Sequence, residues 1–378
     1  MKAALLDIKD RVLEWIDHQE DKRRFGMYKF NERASSSLLS TCFAIMITEL
    51  FNQIEQLSQQ KRQNLITRIL ASQDEEKGLF IDPQLRKDDL LLPEFHSWGY
   101  LTMQSTYFAV MALDVLCEKP TYGFKFLEPF RDIKYLLRWL EGRNWRNPWL
   151  ESNNIMFVGC LLLYEYIQTK DSQILELINE LLNWHDKYQD PKTGFWGTDK
   201  GASLANAMAG AFHIYLIYHY LKRPIQYRER IIDSVLSLQQ RDGLFVEKGG
   251  GSCEDLDAID ILVKLTTLTD YRKEDIKQAL LKSLETLVNG QNKDGGYSWK
   301  INTNRGFLRK IINFNQVSYY GDWRLMPFNI YRSDMWSSWF RPLAIALIVS
   351  TYPEEFGSDF EFKFRRLPGL GWHFKTEI

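Results

Sequence analysis

Apolar residues along this chain fall into two alternating kinds of helical run. Six runs open on small or polar residues and then continue almost wholly apolar: 34–50, 102–116, 151–167, 201–221, 252–265 and 333–348. Between them lie charged stretches such as 171–188, 227–240 and 273–290, whose apolar positions recur at the spacing of a helix with one wet face. The first 24 residues share that form, with Leu5, Leu6, Ile8, Val12, Leu13 and Ile16 as the stripe. A helix that is apolar all round has to be covered all round. The alternation therefore predicts inner helices sheathed by amphipathic outer ones, and strand-like patterns are confined to loops.

The loops repeat as well. Gln or Asp, a turn, then Gly and an aromatic recur as SQDEEKGLF (72–80), YQDPKTGFWG (188–197), LQQRDGLF (238–245) and GQNKDGGYSW (290–299), with NWRNPW (144–149) as a degenerate copy. Gly194 and Gly243 are 49 residues apart, Gly243 and Gly296 are 53 apart. Taking Gln104, Asn153, Ala205 and Asp255 as equivalent points gives spacings of 49, 52 and 50. A period near fifty, with an inner and an outer helix in each unit, predicts an all-α (α/α)6 toroid with six inner and six outer helices, spanning 1–378 as one domain. The step from Asp255 to Trp336 is 81 residues, and the surplus, about 300–332, is read as an insertion over one rim. An open α-solenoid shares this periodicity, because closure into a ring is not written in the period.

Composition narrows the partners. Lys and Arg (48) balance Asp and Glu (49), and no basic block is interleaved with aromatics, so nucleic acid is not an expected partner. Twelve Trp, 18 Tyr and 23 Phe form the one excess, which suits aromatic walls around a hydrophobic small molecule or a sugar. Cys42, Cys117, Cys160 and Cys253 are far apart, and are expected to be reduced, buried thiols. No secretory signal or membrane-spanning run is apparent, so a cytoplasmic location is expected. The basic and apolar GFLRKIINF (306–314) adds peripheral contact with a membrane surface to that expectation.

The QNKDGGYSW loop, its weaker copies and the helix opening CEDLDAID resemble the repeat of the terpenoid cyclase and protein prenyltransferase α/α toroids. The resemblance implies a single-toroid, class II terpene cyclase-like enzyme. In that class an Asp-x-Asp-Asp-Thr motif protonates an alkene or epoxide through its middle Asp. Here Asp255 and Asp257 match the first two acids, and Ala258 and Ile259 stand where the second Asp of the pair and the Thr would be. The zinc pattern of the prenyltransferases, an Asp two residues before a Cys and a distant His, is not met: Gly251 precedes Cys253 and the only later His is His373. Asp88 and Asp89 lack the third acid of a class I magnesium array. Neither metal nor cofactor is expected.

From the residues themselves, Ser252 is placed to cap the helix, with Asp255 as the capping-box acid and Glu254 in the first turn, where the dipole favours negative charge. Asp260 has Lys264 at ion-pair spacing. Asp257 alone keeps no structural role, so the candidate catalytic acids are Asp257 with Asp255 and Glu254 beside it. The other inner-helix starts and rim aromatics supply candidate substrate-binding residues: His96, Trp98, Gln104, Asn153, Asn154, Cys253, Tyr319, Tyr320, Trp336 and Trp339. His213 reads first as a core histidine, and Arg332 and Arg341 as ion-paired or as holders of an anionic group. The leading expectation is protonation-initiated cyclisation of a polyprenyl substrate, isoprenoid or meroterpenoid. A carbohydrate-active toroid enzyme and a non-catalytic binding toroid remain open alternatives.

Overall fold

The computed structural model describes residues 2–92, 96–301, 317–356 and 360–374. Its inner helices are α2 (Leu38–Leu50), α4 (Trp98–Val115), α6 (Pro148–Thr169), α8 (Leu204–Tyr220), α10 (Ser252–Leu265) and α12 (Met335–Thr351). Five of the six begin on a side-chain cap or a proline. Ser37, Ser97, Ser203 and Asp334 cap α2, α4, α8 and α12 through their side chains, and Pro148 starts α6. Almost every residue of these helices is buried, as uniformly apolar runs require. The outer helices are α1 (Lys2–Gln19), α3 (Gln59–Leu70), α5 (Ile133–Glu141), α7 (Ser172–Tyr188), α9 (Arg228–Ser237) and α11 (Lys273–Asn289). They bury one stripe only. In α7 it is Ile174, Leu177, Ile178, Leu181, Leu182, Trp184 and His185.

Packing closes the ring. Each inner helix lies against the next, from α2 through α4, α6, α8 and α10 to α12, and α12 packs back on α2. In the outer layer α1 contacts both α11 and α2, so the first helix seals the seam beside the last repeat. An open solenoid is thereby replaced by a toroid.

The repeated loops act as clamps between units. Gln73, Gln189, Gln239 and Gln291 each donate from Nε2 to the carbonyl of a following glycine: Gly78 (3.2 Å), Gly194 (2.7 Å), Gly243 (3.0 Å) and Gly295 (2.8 Å). The same amide groups reach the neighbouring unit, at the carbonyls of Tyr122, Gln226, Ala279 and Ile8. In the last copy the matching glycine is Gly295, not Gly296. Aromatic residues of three loops then donate from the backbone to an inner helix: Phe80 to Thr106, Phe245 to Asp255 and Tyr297 to Ser338.

Two short antiparallel ribbons decorate the ring. β1 (Tyr28–Lys29) pairs with β2 (Ser36–Ser37), and β3 (Ser318–Tyr319) pairs with β4 (Pro327–Phe328) in the register Ser318 to Phe328 and Tyr319 to Pro327. Segment 306–314, proposed above as a membrane contact, lies outside the described residues. No described helix is long and apolar enough to cross a membrane. All four cysteines are free, and Cys117 is exposed just beyond α4, contrary to the expectation of burial, because the chain turns there with φ 58°.

Candidate functional site

The start of α10 differs from the capping box expected of it. Gly251, not Ser252, is the N-cap, and no side chain caps this helix. Asp255 is recruited elsewhere. Its carboxylate accepts the Phe245 N–H (2.6 Å) and pairs with the Arg341 guanidinium, both residues being fully buried. Arg341 also donates to the Trp299 carbonyl (2.6 Å). The glycine run makes room for this arrangement: a Cβ at Gly250 (φ +64°) would collide with the Asp255 carboxylate, and one at Gly251 with that of Glu254. Burial pushes the Asp255 carboxyl up to about 6 despite the opposing pull of Arg341. Asp255 thus holds the loop, the helix start and α12 together.

Asp260 makes the expected pair with Lys264 (2.7 Å), within the core. Asp257 is different. It is completely buried, and neither carboxylate oxygen has a hydrogen-bond partner among the described residues. Burial, reinforced by the neighbouring Glu254, Asp260 and Asp255, holds its carboxyl well above the ordinary aspartate range. An unpartnered carboxylate in such a place would be costly, which favours the neutral, proton-bearing form. Glu254 is half-buried, is raised by burial, and accepts from the Cys253 thiol (3.2 Å).

A cavity of about 150 Å³ opens at the amino-terminal ends of the inner helices. Its walls are Tyr100 and Gln104 from α4, Trp149 and Asn153 from α6, His213 from α8, Cys253 from α10, and Trp336 and Phe340 from α12. Trp299, Tyr319, Tyr320, Gly321, Phe328 and His96 complete the rim side, and Leu370 of the C-terminal segment reaches in as well. The loop before α4 is tied to the β3–β4 ribbon by Leu91 N–H to the Asp322 carbonyl (2.9 Å), and His96 Nδ1 meets Asp322 Oδ2 at 2.6 Å. No Asp or Glu lines this cavity among the described residues. Cys253 does, and Asp257 follows one turn later on the same face of α10. His213 bonds Ser152 Oγ (2.9 Å) and is pushed down to about 3 by burial, which leaves its imidazole neutral. Among the described residues no group of three or more His, Cys, Asp or Glu is placed to hold a metal ion.

The sequence profile of the prenyltransferase alpha-alpha toroid domain matches residues 3–126 and 127–304, most of the chain. The chain belongs to that family. Two solved structures of the type II terpene cyclase MstE from Scytonema superpose on this toroid. The apo form gives a TM-score of 0.51 at 11% identity, covering 93% of this chain and 99% of that chain. A variant bound to geranylgeranyl dihydroxybenzoate gives 0.50 with the same identity and coverage. The GH76A alpha-1,6-mannanase from Salegentibacter sp. HEL1_6 is similar at 0.49 and 12% identity, over 92% of this chain and 99% of that chain. At 11% identity the likeness to the two MstE structures speaks for the fold alone. No curated protein sequence matches this toroid.

Of the candidate binding residues, this prenyltransferase-type toroid brings His96, Gln104, Asn153, Cys253, Tyr319, Tyr320 and Trp336 to one cavity. Three others lie elsewhere. Trp339 is core, stacked on Phe43; Trp98 lies half-buried beneath Lys87; Asn154 points away from the lining on α6. Helix rotation explains this, since Trp98, Asn154 and Trp339 stand two, one and one positions from the lining residues Tyr100, Asn153 and Phe340, and such close neighbours point to different faces. Arg341 is consumed by Asp255, and Arg332 meets Glu32 (3.4 Å) on the exterior, so neither is offered to an anion in the cavity. Tyr100, Trp149 and Phe340 were missed, although each lies four residues from a predicted lining residue and helical spacing could have found it. Leu370 carries no such signal.

Proposed function

We propose that this toroid is a class II terpene cyclase-like enzyme, in which Asp257 protonates an alkene of a polyprenyl substrate and the aromatic cavity folds the resulting carbocation. The observation that carries the reading is the buried, unpartnered Asp257, its carboxyl held above the ordinary range by burial and acidic neighbours, one helical turn from the cavity-lining Cys253. An alkene is a weak base, so its donor has to retain the proton at neutral pH until the substrate is in place. Asp257 is suited to this by its burial and its three acidic neighbours.

In the proposed step the O–H bond of Asp257 breaks and a C–H bond forms at the terminal alkene, leaving a tertiary cation. Intramolecular attack by further alkenes closes rings. Trp149, Trp299, Trp336, Tyr100, Tyr320 and Phe340 line the space the cation would occupy, where each cation–π contact contributes roughly 0.5–2 kcal/mol. Loss of a proton ends the sequence, and His96, oriented by Asp322, is the wall residue fitted to accept it. His96 then gives its proton to solvent and Asp257 regains one from solvent after product leaves, so the substrate is isomerised with no net proton consumed.

The carboxylate-free, aromatic lining favours this reading over glycoside chemistry, which needs two carboxylates flanking the scissile bond. The test is incubation of purified protein, wild type and Asp257→Asn, with polyprenyl alcohols, geranylgeranyl-substituted phenols and sugar polymers including a mannan. A cyclised isomer from wild type alone supports the proposal. Cleavage of a sugar polymer, or equal turnover by the variant, would sink it.

A further inference from the structure

The cavity is too small for the substrate class proposed for it. About 150 Å³ holds a molecule of roughly benzene size, whereas ligand pockets commonly enclose about 300–1,000 Å³. What fills the rest of the ring is the chain's own C-terminal loop, 364–374. Lys363 N–H bonds the carbonyl of Leu50 at the end of α2 (3.0 Å), which marks the entry from the carboxyl ends of the inner helices. The loop then closes on itself through Arg365 N–H to the Gly371 carbonyl (2.9 Å). Its tip, Leu370, donates its N–H to the Tyr107 hydroxyl (2.8 Å) and touches the cavity from beneath. Trp372 lies beside Tyr220 and under the Lys264 ammonium (5.4 Å).

The lumen face of α10 locates Asp257 relative to this loop. Cys253, Asp257, Asp260 and Lys264 follow at steps of four, three and four, so they form one stripe. Cys253 lines the cavity and Lys264 contacts Trp372. Asp257 lies on this stripe between Cys253 at the cavity wall and Lys264 at the loop.

The loop is also poorly suited to permanent burial. Arg365 is buried with its guanidinium against the sulfurs of Met46 and Met111, which are weak acceptors, and its Nε has no partner among the described residues. Glu49 and Asp114 act on it only from beyond ion-pair distance, and a buried cation so weakly compensated favours the undocked state.

We propose that the lumen now filled by 364–374 is the binding site for the linear apolar chain of the ligand, and that ligand and loop occupy it in turn. Withdrawal of the loop joins the cavity to the lumen and exposes Asp257 to the chain's terminal alkene. The inference rests on the cyclase reading only for the class of ligand. It requires no chemistry.

The test is binding of geranylgeraniol by the full-length protein, followed by calorimetry and by hydrogen exchange across 364–374. Gly369→Ala places a Cβ against the Tyr107 hydroxyl and weakens docking, so affinity rises, by about tenfold if the docked state dominates about tenfold. Arg365→Met removes the buried charge and strengthens docking, so affinity falls while the melting temperature rises. In wild type, exchange in the loop accelerates when the alcohol binds. Unchanged affinity in both variants, absence of binding in wild type and Gly369→Ala alike, or binding with no change in loop exchange would overturn the proposal. Binding with loop release but no cyclised product sinks the catalytic reading alone; product formed with the loop still protected sinks this one alone.

Discussion

Asp255 and Asp257 are two residues apart and have opposite fates. Asp255 spends its charge on Arg341 and the Phe245 amide. Asparagine at 255 leaves a buried guanidinium uncompensated, so Asp255→Asn is expected to destabilise the fold by about 3–5 kcal/mol, read as a lower denaturant midpoint. A change under 1 kcal/mol would show the pair to be dispensable. Asp257 makes a pH-dependent prediction. The unfolded chain releases this proton near about 3.9, while the folded chain retains it to higher pH. Raising the pH above that value therefore favours unfolding of wild type, by up to about 1.4 kcal/mol per pH unit until the folded value is reached. Asp257→Asn removes the dependence. Its melting temperature relative to wild type should climb from pH 4 upward, and a flat difference would mean that Asp257 is already ionised in the fold. His213, depressed to about 3, acts oppositely in both proteins and cancels in the comparison. From sequence Asp257 stood out because nothing local used it. The role of Asp255 was misread because its partner is 86 residues away on another helix.

At the scale of elements, the repeat was legible because its physics is local. A glutamine amide that satisfies a glycine carbonyl four or five residues on writes itself into the sequence as a fixed motif. Its second bond, to the neighbouring unit, explains why the loops recur with the helices. Gln189→Ala loses bonds to the Gly194 and Gln226 carbonyls, and should cost about 1–3 kcal/mol with little effect on ligand binding. Thermal denaturation and a binding titration on the same sample check both halves. Helix rotation was less legible. Gln104, Asn153 and Trp336 were found as helix starts, yet the residue one turn away from each was not, and Trp339 was assigned to the wrong face.

For the whole molecule, alternation of apolar and amphipathic helices led to the toroid, but closure depends on α12 meeting α2, and no period encodes that contact. The C-terminal loop was invisible for a related reason. Its LPGLGW tip reads as an ordinary turn, and only the contacts with Tyr107, Tyr220 and Lys264 place it inside the ring. Those contacts turn a set of polar helix starts into a small cavity with an acid below it. Cyclisation in this toroid stands or falls on proton delivery from that acid. Turnover of a geranylgeranyl substrate in D₂O, with the product examined by mass spectrometry and NMR, tests it most directly. One deuterium next to the cationic carbon, on the alkene carbon that takes the proton, with no product from Asp257→Asn, is the predicted result. A product free of deuterium at that carbon, or formed equally well by the variant, would contradict it.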